Sequence, residues 1–297
     1  MEEAKHKIPQ KKNPKETERV LRTEGKMEGV EGQGSNRYTL QPSRLASEDI
    51  LLCVDVDSES LVEMKVSVAG GRPYSRLDSI KQAIILFINA KLTINPDHRF
   101  AFAALGKSAF WVAVELNWNH LLNFLFVKVR KEFTSDIDSA ISACRGITAV
   151  DSPCGHADLT QLFRVAAHEA KKSRAQNRIL RVILLYCRSS IPPQHQWPAT
   201  QKLFTLDVVY LHDKPGPDNC PQKVYDALVE ALEHVSEYEG YIFESGQGLT
   251  RVLFRHMCTL LSHPQQRCVQ DDLDIPRSLT KKSVTVDSAP ADENAAL

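Results

Sequence analysis

Long apolar runs that alternate with helix-like segments constrain this 297-residue chain more than any other feature. DILLCVDV (49–56), RILRVILLYC (178–187) and TLDVVYLH (205–212) are nearly continuous apolar runs, which is typical of strands covered on both faces. Helical periodicity marks SRLDSIKQAIILFINAKL (75–92) and DLTQLFRVAAHEAKKS (158–173). Strands that alternate with helices predict an α/β fold with a doubly wound, mostly parallel sheet.

One edge of this sheet is predicted to be antiparallel. HRFAFAAL (98–105) and SAFWVAVEL (108–116) are β-rich runs separated by Gly106 and Lys107, which predicts a tight hairpin. Two helical segments are predicted after the hairpin, at 119–133 and 136–144. The hairpin therefore adds one antiparallel edge strand to an otherwise parallel sheet.

The remaining elements and the two tails complete the predicted domain organisation. A helix, a short strand and a last helix are predicted in PQKVYDALVEALEHV (221–235), GYIFES (240–245) and GLTRVLFRHMCTLLSH (248–263). Pro264 stops the last helix, so the sequence predicts one domain over residues 47–263. Residues 1–46 are rich in Lys, Glu, Gly and Gln, which predicts a disordered tail. The polar stretch 264–297 is predicted to be an extended or disordered tail.

Composition argues against several classes of function. The formal net charge is zero, without the basic excess that neutralises phosphates in a dedicated nucleic-acid binder. Seven cysteines without a C-x-x-C spacing are typical of reduced thiols. The sequence shows neither an apolar run of about 18 residues nor a secretory signal. We expect a protein of the nucleus and cytoplasm with no membrane and no direct nucleic-acid partner. The basic cluster KHKIPQKKNPK (5–15) is either an import signal or a solvated tail.

The first apolar run ends in a loop crowded with acids and hydroxyls. Asp55, Asp57 and Glu59 lie next to Ser58 and Ser60 in this loop. Oxygen side chains at the carboxyl end of a buried strand are suited to a divalent cation. The loop, together with the predicted sheet, resembles the von Willebrand factor A family. In that family a D-x-S-x-S loop binds Mg²⁺ with a Thr and an Asp from two later loops.

The same resemblance implies that the metal site is degenerate. In the matching frame, Asp57 and Glu59 replace the two serines of the motif. Ala157 stands where the family has its Thr, and Cys187 stands where it has its Asp. Because Mg²⁺ needs near-octahedral oxygen ligation, we expect neither a bound metal nor another cofactor.

Loss of the cation would leave the carboxylates of Asp55, Asp57 and Glu59 to repel one another. Two carboxylates about 4 Å apart repel by roughly 4 kcal/mol at an effective dielectric near 20. Arg188 follows Cys187 at the end of a neighbouring strand, where its guanidinium could form an ion pair with Asp55. Strand alternation could instead point Arg188 to solvent, and the sequence leaves both possibilities open.

Four segments carry a more specific resemblance, which extends over roughly residues 36–268: EDILLCVDVDSE (48–59), RVILLYCRSSIPP (181–193), FTLDVVYLHD (204–213) and LLSHPQQRC (260–268). They resemble the von Willebrand factor A-like scaffold subunits of the BRISC and breast-cancer type 1 A deubiquitinase complexes. The resemblance implies a non-catalytic adaptor in complexes that cleave ubiquitin chains linked through lysine 63 of ubiquitin. Such complexes act in the DNA-damage response, in signalling and in mitosis.

The resemblance also implies partners and a docking segment. Its members join a ubiquitin-variant-fold subunit through their C-terminal segment, in a complex whose protease is a JAMM metalloprotease. Here that segment contains Pro264, Gln266 and Arg267, of which Pro264 suits an apolar slot and Arg267 a carboxylate. A helix terminator followed by disorder is the other interpretation. We expect no enzymatic activity, because no nucleophile–base pair is complete. The alternative function is a metal-dependent ligand-binding module.

Overall fold

The structure is a computed structural model that describes residues 45–64, 74–111, 132–198, 201–246 and 250–273. Nearly all of the predicted N-terminal tail lies outside the described residues. So do residues 274–297 of the predicted C-terminal tail and most of the helix predicted at 119–133.

Ten strands lie within the described residues. In chain order they are β1 (Ser47–Asp55), β2 (Glu63–Met64), β3 (Tyr74–Ser75), β4 (Arg99–Leu105), β5 (Ala109–Trp111), β6 (Ala157–Asp158), β7 (Arg178–Tyr186), β8 (Pro193–Gln194), β9 (Thr205–Leu211) and β10 (Ile242–Ser245). Six of them form the central sheet, in the order β10-β9-β7-β1-β4-β5. All pairs in this sheet are parallel except β4–β5, which is antiparallel. The predicted fold class, with its single antiparallel edge, is confirmed.

Five α-helices accompany these strands in the described parts of the chain. They are α1 (Arg76–Ile94), α2 (Ile137–Arg145), α3 (Thr160–Ala175), α4 (Pro221–Val235) and α5 (Thr250–Thr259). Helix α1 is capped by the Ser75 side chain, which accepts a hydrogen bond from the Asp78 amide. The negatively charged side chain of Asp78 lies in the first turn, where it interacts favourably with the helix dipole. None of the described helices has the length and hydrophobicity that a membrane crossing requires.

The helices cover both faces of the sheet because its strands are apolar on both sides. In β1, Ile50 and Leu52 pack on one face, in a cluster that includes residues of α1, α2 and α5. Leu51 and Cys53 face the other side, in a cluster with residues of α3 and α4. This two-sided burial explains why the strands are continuous apolar runs instead of alternating ones.

The body of the domain continues past the predicted boundary at residue 263. Two short 3₁₀ turns, Pro264–Gln266 and Gln270–Asp272, follow α5, and Pro264 is buried. The Tyr241 hydroxyl donates to the Cys268 carbonyl at 2.9 Å, which joins this segment to the start of β10. Residues 264–273 are therefore packed on the sheet, not extended into solvent as the tail prediction implied.

Gly240 provides a test of the packing beside β10. A Cβ atom at this position would lie 2.2 Å from the Leu206 carbonyl oxygen and 3.0 Å from the Ser236 Oγ. We expect Gly240→Ala to lower the free energy of unfolding by about 1–3 kcal/mol, since backbone must move to admit the methyl group. Thermal and urea unfolding measure this loss.

Gly216→Ala is the matched control, because its Cβ would meet only the Asn219 Oδ1, at 3.8 Å. It should leave the midpoint nearly unchanged. Equal stability of the two variants would show that the strand β9 does not approach Gly240 as closely as the structure has it.

Candidate functional site at the carboxyl ends of the strands

The acidic loop after β1 is tightly ordered by its own hydrogen bonds. Asp55 ends β1, and its Oδ1 accepts from the Asp57 amide at 3.1 Å. Asp57 caps the 3₁₀ turn Ser58–Leu61 by accepting from the Glu59 amide at 3.1 Å. Its second oxygen accepts from the Cys154 amide at 2.7 Å, which joins the loop to the approach to α3. Asp55 and Asp57 are both buried.

Arg188 lies directly against Asp55. Its Nε is 3.2 and 3.1 Å from the two carboxylate oxygens of Asp55, and its Nη2 is 3.0 Å from Oδ1. Both side chains are fully buried. The predicted ion pair is thus present in the structure, and the alternative in which Arg188 points to solvent is not.

Backbone carbonyls satisfy the rest of the Arg188 guanidinium. Nη1 donates to the His156 carbonyl at 2.6 Å, and Nη2 donates to the carbonyls of Leu105 and Gly106. The Arg188 Nε is also 3.9 Å from Asp57 Oδ2. One side chain therefore connects the end of β1, the β4–β5 turn and the loop before α3.

The two buried carboxyls respond differently to this environment. Burial raises the pKa of Asp55, and the charge and hydrogen bonds of Arg188 oppose that rise. Burial acts in the same direction on Asp57, but the amides of Cys154 and Glu59 outweigh it and hold the pKa of Asp57 below its ordinary value. Asp57 is therefore ionised near neutral pH, and the guanidinium favours the ionised form of Asp55.

A divalent cation does not fit this arrangement. The guanidinium already contacts both oxygens of Asp55, the residue that would be the first metal ligand. Ala157 presents a methyl group, and burial raises the pKa of the Cys187 thiol, which keeps it protonated and a poor ligand. Among the described residues, no group of three or more His, Cys, Asp or Glu side chains could hold a metal ion.

Glu59 points toward a second arginine, which the sequence analysis missed. Its Oε2 accepts from the Ser189 amide at 2.9 Å and lies 4.0 Å from the Arg76 Nη1. Arg76 also donates to the Cys187 carbonyl at 3.2 Å and pairs with Asp213 at 2.5 Å. Its position as the first residue of α1 was the available signal. Two arginines thus offset the charge of the acidic loop.

A second charge network, also missed, lies at the opposite end of the sheet. Arg181 in β7 is fully buried between Asp207 of β9, at 2.6 Å, and Glu48 of β1, at 3.1 Å. Lys91 of α1 pairs with Glu48 on its other side. The signal was present in the sequence, because Arg181 and Asp207 are charges inside otherwise apolar strands.

The C-terminal segment joins this network through Arg267. Its Nη1 and Nη2 lie 2.6 and 3.0 Å from the two oxygens of Asp207, and its guanidinium stacks 4.4 Å from the centre of the Tyr241 ring. The carboxylate predicted for Arg267 is therefore one of this chain's own, and its side chain is enclosed. Pro264 is buried too, whereas Gln266 is exposed.

Curated relatives match most of the chain, although no family model matches it. BRISC and BRCA1-A complex member 1 of Xenopus tropicalis is 24% identical over 237 residues, which cover 75% of this chain and 67% of that protein. The human protein of that name is 23% identical over 239 residues, covering 75% and 66%. The chain is similar to the BRISC and BRCA1-A complex member 1 proteins. The resemblance inferred from the sequence is confirmed, over about two thirds of the length of these relatives.

Von Willebrand factor A domains are among the solved structures to which the chain is similar. A von Willebrand factor type A protein from Catenulispora acidiphila has a TM-score of 0.43 at 14% identity, covering 72% of this chain and 42% of that one. The VWA domain of SpRpn10 has a TM-score of 0.43 at 13% identity, covering 76% and 100%.

The Asp55–Arg188 pair makes a direct prediction about stability. Arg188→Met keeps much of the side-chain volume but leaves the Asp55 carboxylate buried without its cation. We expect a loss of about 3–5 kcal/mol in the free energy of unfolding, measured by urea titration. Arg251→Met, at an exposed arginine of α5, should change stability by less than about 0.5 kcal/mol. A small effect of Arg188→Met would mean that Asp55 is not ionised beside it.

The network around Glu48 predicts a dependence of stability on pH. Burial lowers the pKa of His98 to about 4, although the Glu48 carboxylate opposes the shift, and the His98 Nδ1 accepts from the Glu48 amide at 2.9 Å. The unfolded chain therefore binds more protons than the native one between pH 4 and 6.5, so stability falls as pH is lowered through this window.

His98→Asn isolates this contribution, because the Asn oxygen can still accept from the Glu48 amide. Chemical unfolding at several pH values should give the variant a shallower slope, by up to about 1.4 kcal/mol per pH unit. The other lowered histidines remain in both proteins, and His263→Asn alone is the matched variant for the one of them whose charge acts on His98. Parallel curves would contradict a neutral His98 in the native state.

Proposed function

We propose that this chain is a non-catalytic scaffold subunit of a deubiquitinase complex of the BRISC or BRCA1-A type. The observation that carries the proposal is the similarity to proteins named as members of those complexes, which extends over 75% of the chain. The strand-end site supports it, because Arg188 takes the place where a metal-dependent domain would bind its ion. A domain held by internal ion pairs is suited to present fixed surfaces to partners.

The finer parts of the proposal follow the resemblance. The complex acts on ubiquitin chains linked through lysine 63 of ubiquitin, in the nucleus during the DNA-damage response and in the cytoplasm during signalling. A JAMM metalloprotease in the complex performs the cleavage. The direct neighbour of this chain is a ubiquitin-variant-fold subunit, and the C-terminal segment contacts it.

The internal position of Arg267 changes how that contact would be made. Arg267 and Pro264 fix residues 264–273 to the sheet, and the exposed side chains of this segment, which are free to meet a partner, include Gln266 and Val269, the latter 57% exposed. Reversing the charge of Arg267 would place a carboxylate against Asp207 and weaken the fold itself. Variants at exposed positions are the better probe of docking.

Affinity purification of the tagged full chain, with identification of the co-eluting chains, tests the proposal. We expect a ubiquitin-variant-fold subunit and a JAMM metalloprotease in stoichiometric amounts. Val269→Asp should reduce their recovery at least about tenfold, since a charge in the centre of an interface is desolvated without a partner. Val150→Asp, at a valine 37% exposed in the loop after α2, is the matched control and should retain them.

Three results would count against this function. Recovery of the chain without either subunit would overturn membership of the complex. Cleavage of ubiquitin chains by the purified chain alone would overturn the non-catalytic role. Tight binding of Mg²⁺ or Mn²⁺ in isothermal titration would support the metal-dependent ligand-binding module instead.

A further inference from the structure

Strand β10 leaves one side of its backbone open at the edge of the central sheet. It pairs with β9 on its inner side only. The carbonyls of Tyr241 and Ser245 accept from amides at positions 208 and 212, so these two residues face inward. Because backbone groups of successive residues alternate in direction, Ile242 and Glu244 present their N–H and C=O groups outward.

The side chain of Gln270 already binds one of the two outward-facing residues of this edge, Ile242. Its Oε1 accepts from the Ile242 amide at 2.7 Å, and its Nε2 donates to the Ile242 carbonyl at 2.7 Å. A side-chain amide that donates and accepts at one residue imitates the peptide group of a neighbouring strand. Among the described residues, no side chain completes the edge at Glu244 as Gln270 does at Ile242.

A groove of about 940 Å³ runs beside this edge, between α4 and residues 269–271. Its apolar lining comes from both walls and from the strand: Tyr225, Val229, Leu232, Ile242 and Val269. The exposed Val269 stands on the wall opposite α4. The groove has a mixed polar and apolar lining and meets β10 at Ile242, the first residue of the strand. A groove with apolar sites beside an open strand edge is the arrangement used to bind extended peptides by strand addition.

The rim of the groove is acidic. Four carboxylates line it, those of Glu233, Glu237, Glu239 and Asp271. Lys202 is the one lysine among the lining residues, and no arginine is among them. Glu237 pairs with Arg174, which leaves an excess of negative charge. The pKa of Tyr225 is raised, first by burial and then by the nearby carboxylates of Glu244, Asp226 and Asp271. Acidic side chains therefore also lie near Tyr225 at this side of the groove.

We propose that this acidic edge groove binds an extended basic peptide segment of a partner protein as an added strand along β10. The peptide backbone pairs with Glu244 and takes the place of Gln270 at Ile242. Alternate apolar side chains enter the groove, while Lys or Arg side chains face Glu233 and Asp271. A second copy of this chain is a poorer occupant, because two acidic edges would repel each other. The inference does not depend on the proposed function.

Fluorescence titration of the full chain with labelled peptides is the first test. The probe is the acetylated and amidated peptide TKVKVRVKT, with TEVEVEVET as its acidic twin. A third version carries N-methyl groups on alternate residues, which removes backbone donors and leaves the charge unchanged. We expect saturable binding of the basic peptide, at least about tenfold weaker binding of the acidic one, and loss of binding by the methylated one.

Hydrogen exchange and two variants locate the binding. The Glu244 amide should exchange at least about tenfold more slowly when the basic peptide is bound. Glu233→Lys combined with Asp271→Lys should weaken binding about tenfold. Glu63→Lys, an exposed reversal in β2, is the matched control and should leave the affinity unchanged. Unfolding curves establish that both variants are folded.

Three outcomes would overturn the inference. Equal affinity for the basic and acidic peptides would show that the acidic rim does not select the peptide by charge. No binding of either peptide at millimolar concentration would show that the groove is not a peptide site. Binding without protection of Glu244 would place the peptide elsewhere. Dimerisation of the free chain that protects Glu244 would assign the edge to a second copy.

Discussion

The ion pairs of buried arginines with buried aspartates are the interaction on which the rest of this structure depends. At the carboxyl ends of the strands Arg188 pairs with Asp55. Toward the opposite end of the sheet Arg181 and Arg267 both pair with Asp207. Removing such charges from water costs several kcal/mol for each ion, and the cost is offset only where partners satisfy the whole group. Each of the three guanidinium groups meets that condition with carboxylates and backbone carbonyls. The strands are thereby fixed in register at both ends.

The sequence was sufficient for the fold class because the relevant signals are local. Apolar runs such as the one that ends at Asp55 identify parallel strands, and the Gly106–Lys107 pair identifies the antiparallel edge. The location of Arg188 at the end of a strand beside β1 could be predicted as well, although the direction of its side chain could not. Once β1 and β7 are neighbours in a parallel sheet, residues that follow their carboxyl ends must meet at the same edge.

The place of Arg267 in the opposite charge network could not be predicted in the same way. Arg267 and Asp207 are 60 residues apart, and their contact depends on how the chain folds back after α5. An arginine after a helix is equally suited to a partner's carboxylate and to one of its own chain, so the sequence alone could not assign it. Asp207 within β9 was the stronger signal, because a charge inside a buried strand requires a counter-ion from within the fold.

A guanidinium in place of a metal ion changes what the strand-end loops can do. A bound cation dissociates, and loops that share it then have two states that the ion concentration or a ligand carboxylate can bias. Arg188 is attached to β7 through its own backbone and cannot leave, so the charge balance of Asp55 and Asp57 is independent of ions in solution. Its three carbonyl contacts also fix the approach to α3 and the β4–β5 turn. The physical consequence is a strand-end face held in a single arrangement, which suits constant attachment to partners better than ion-gated ligand capture.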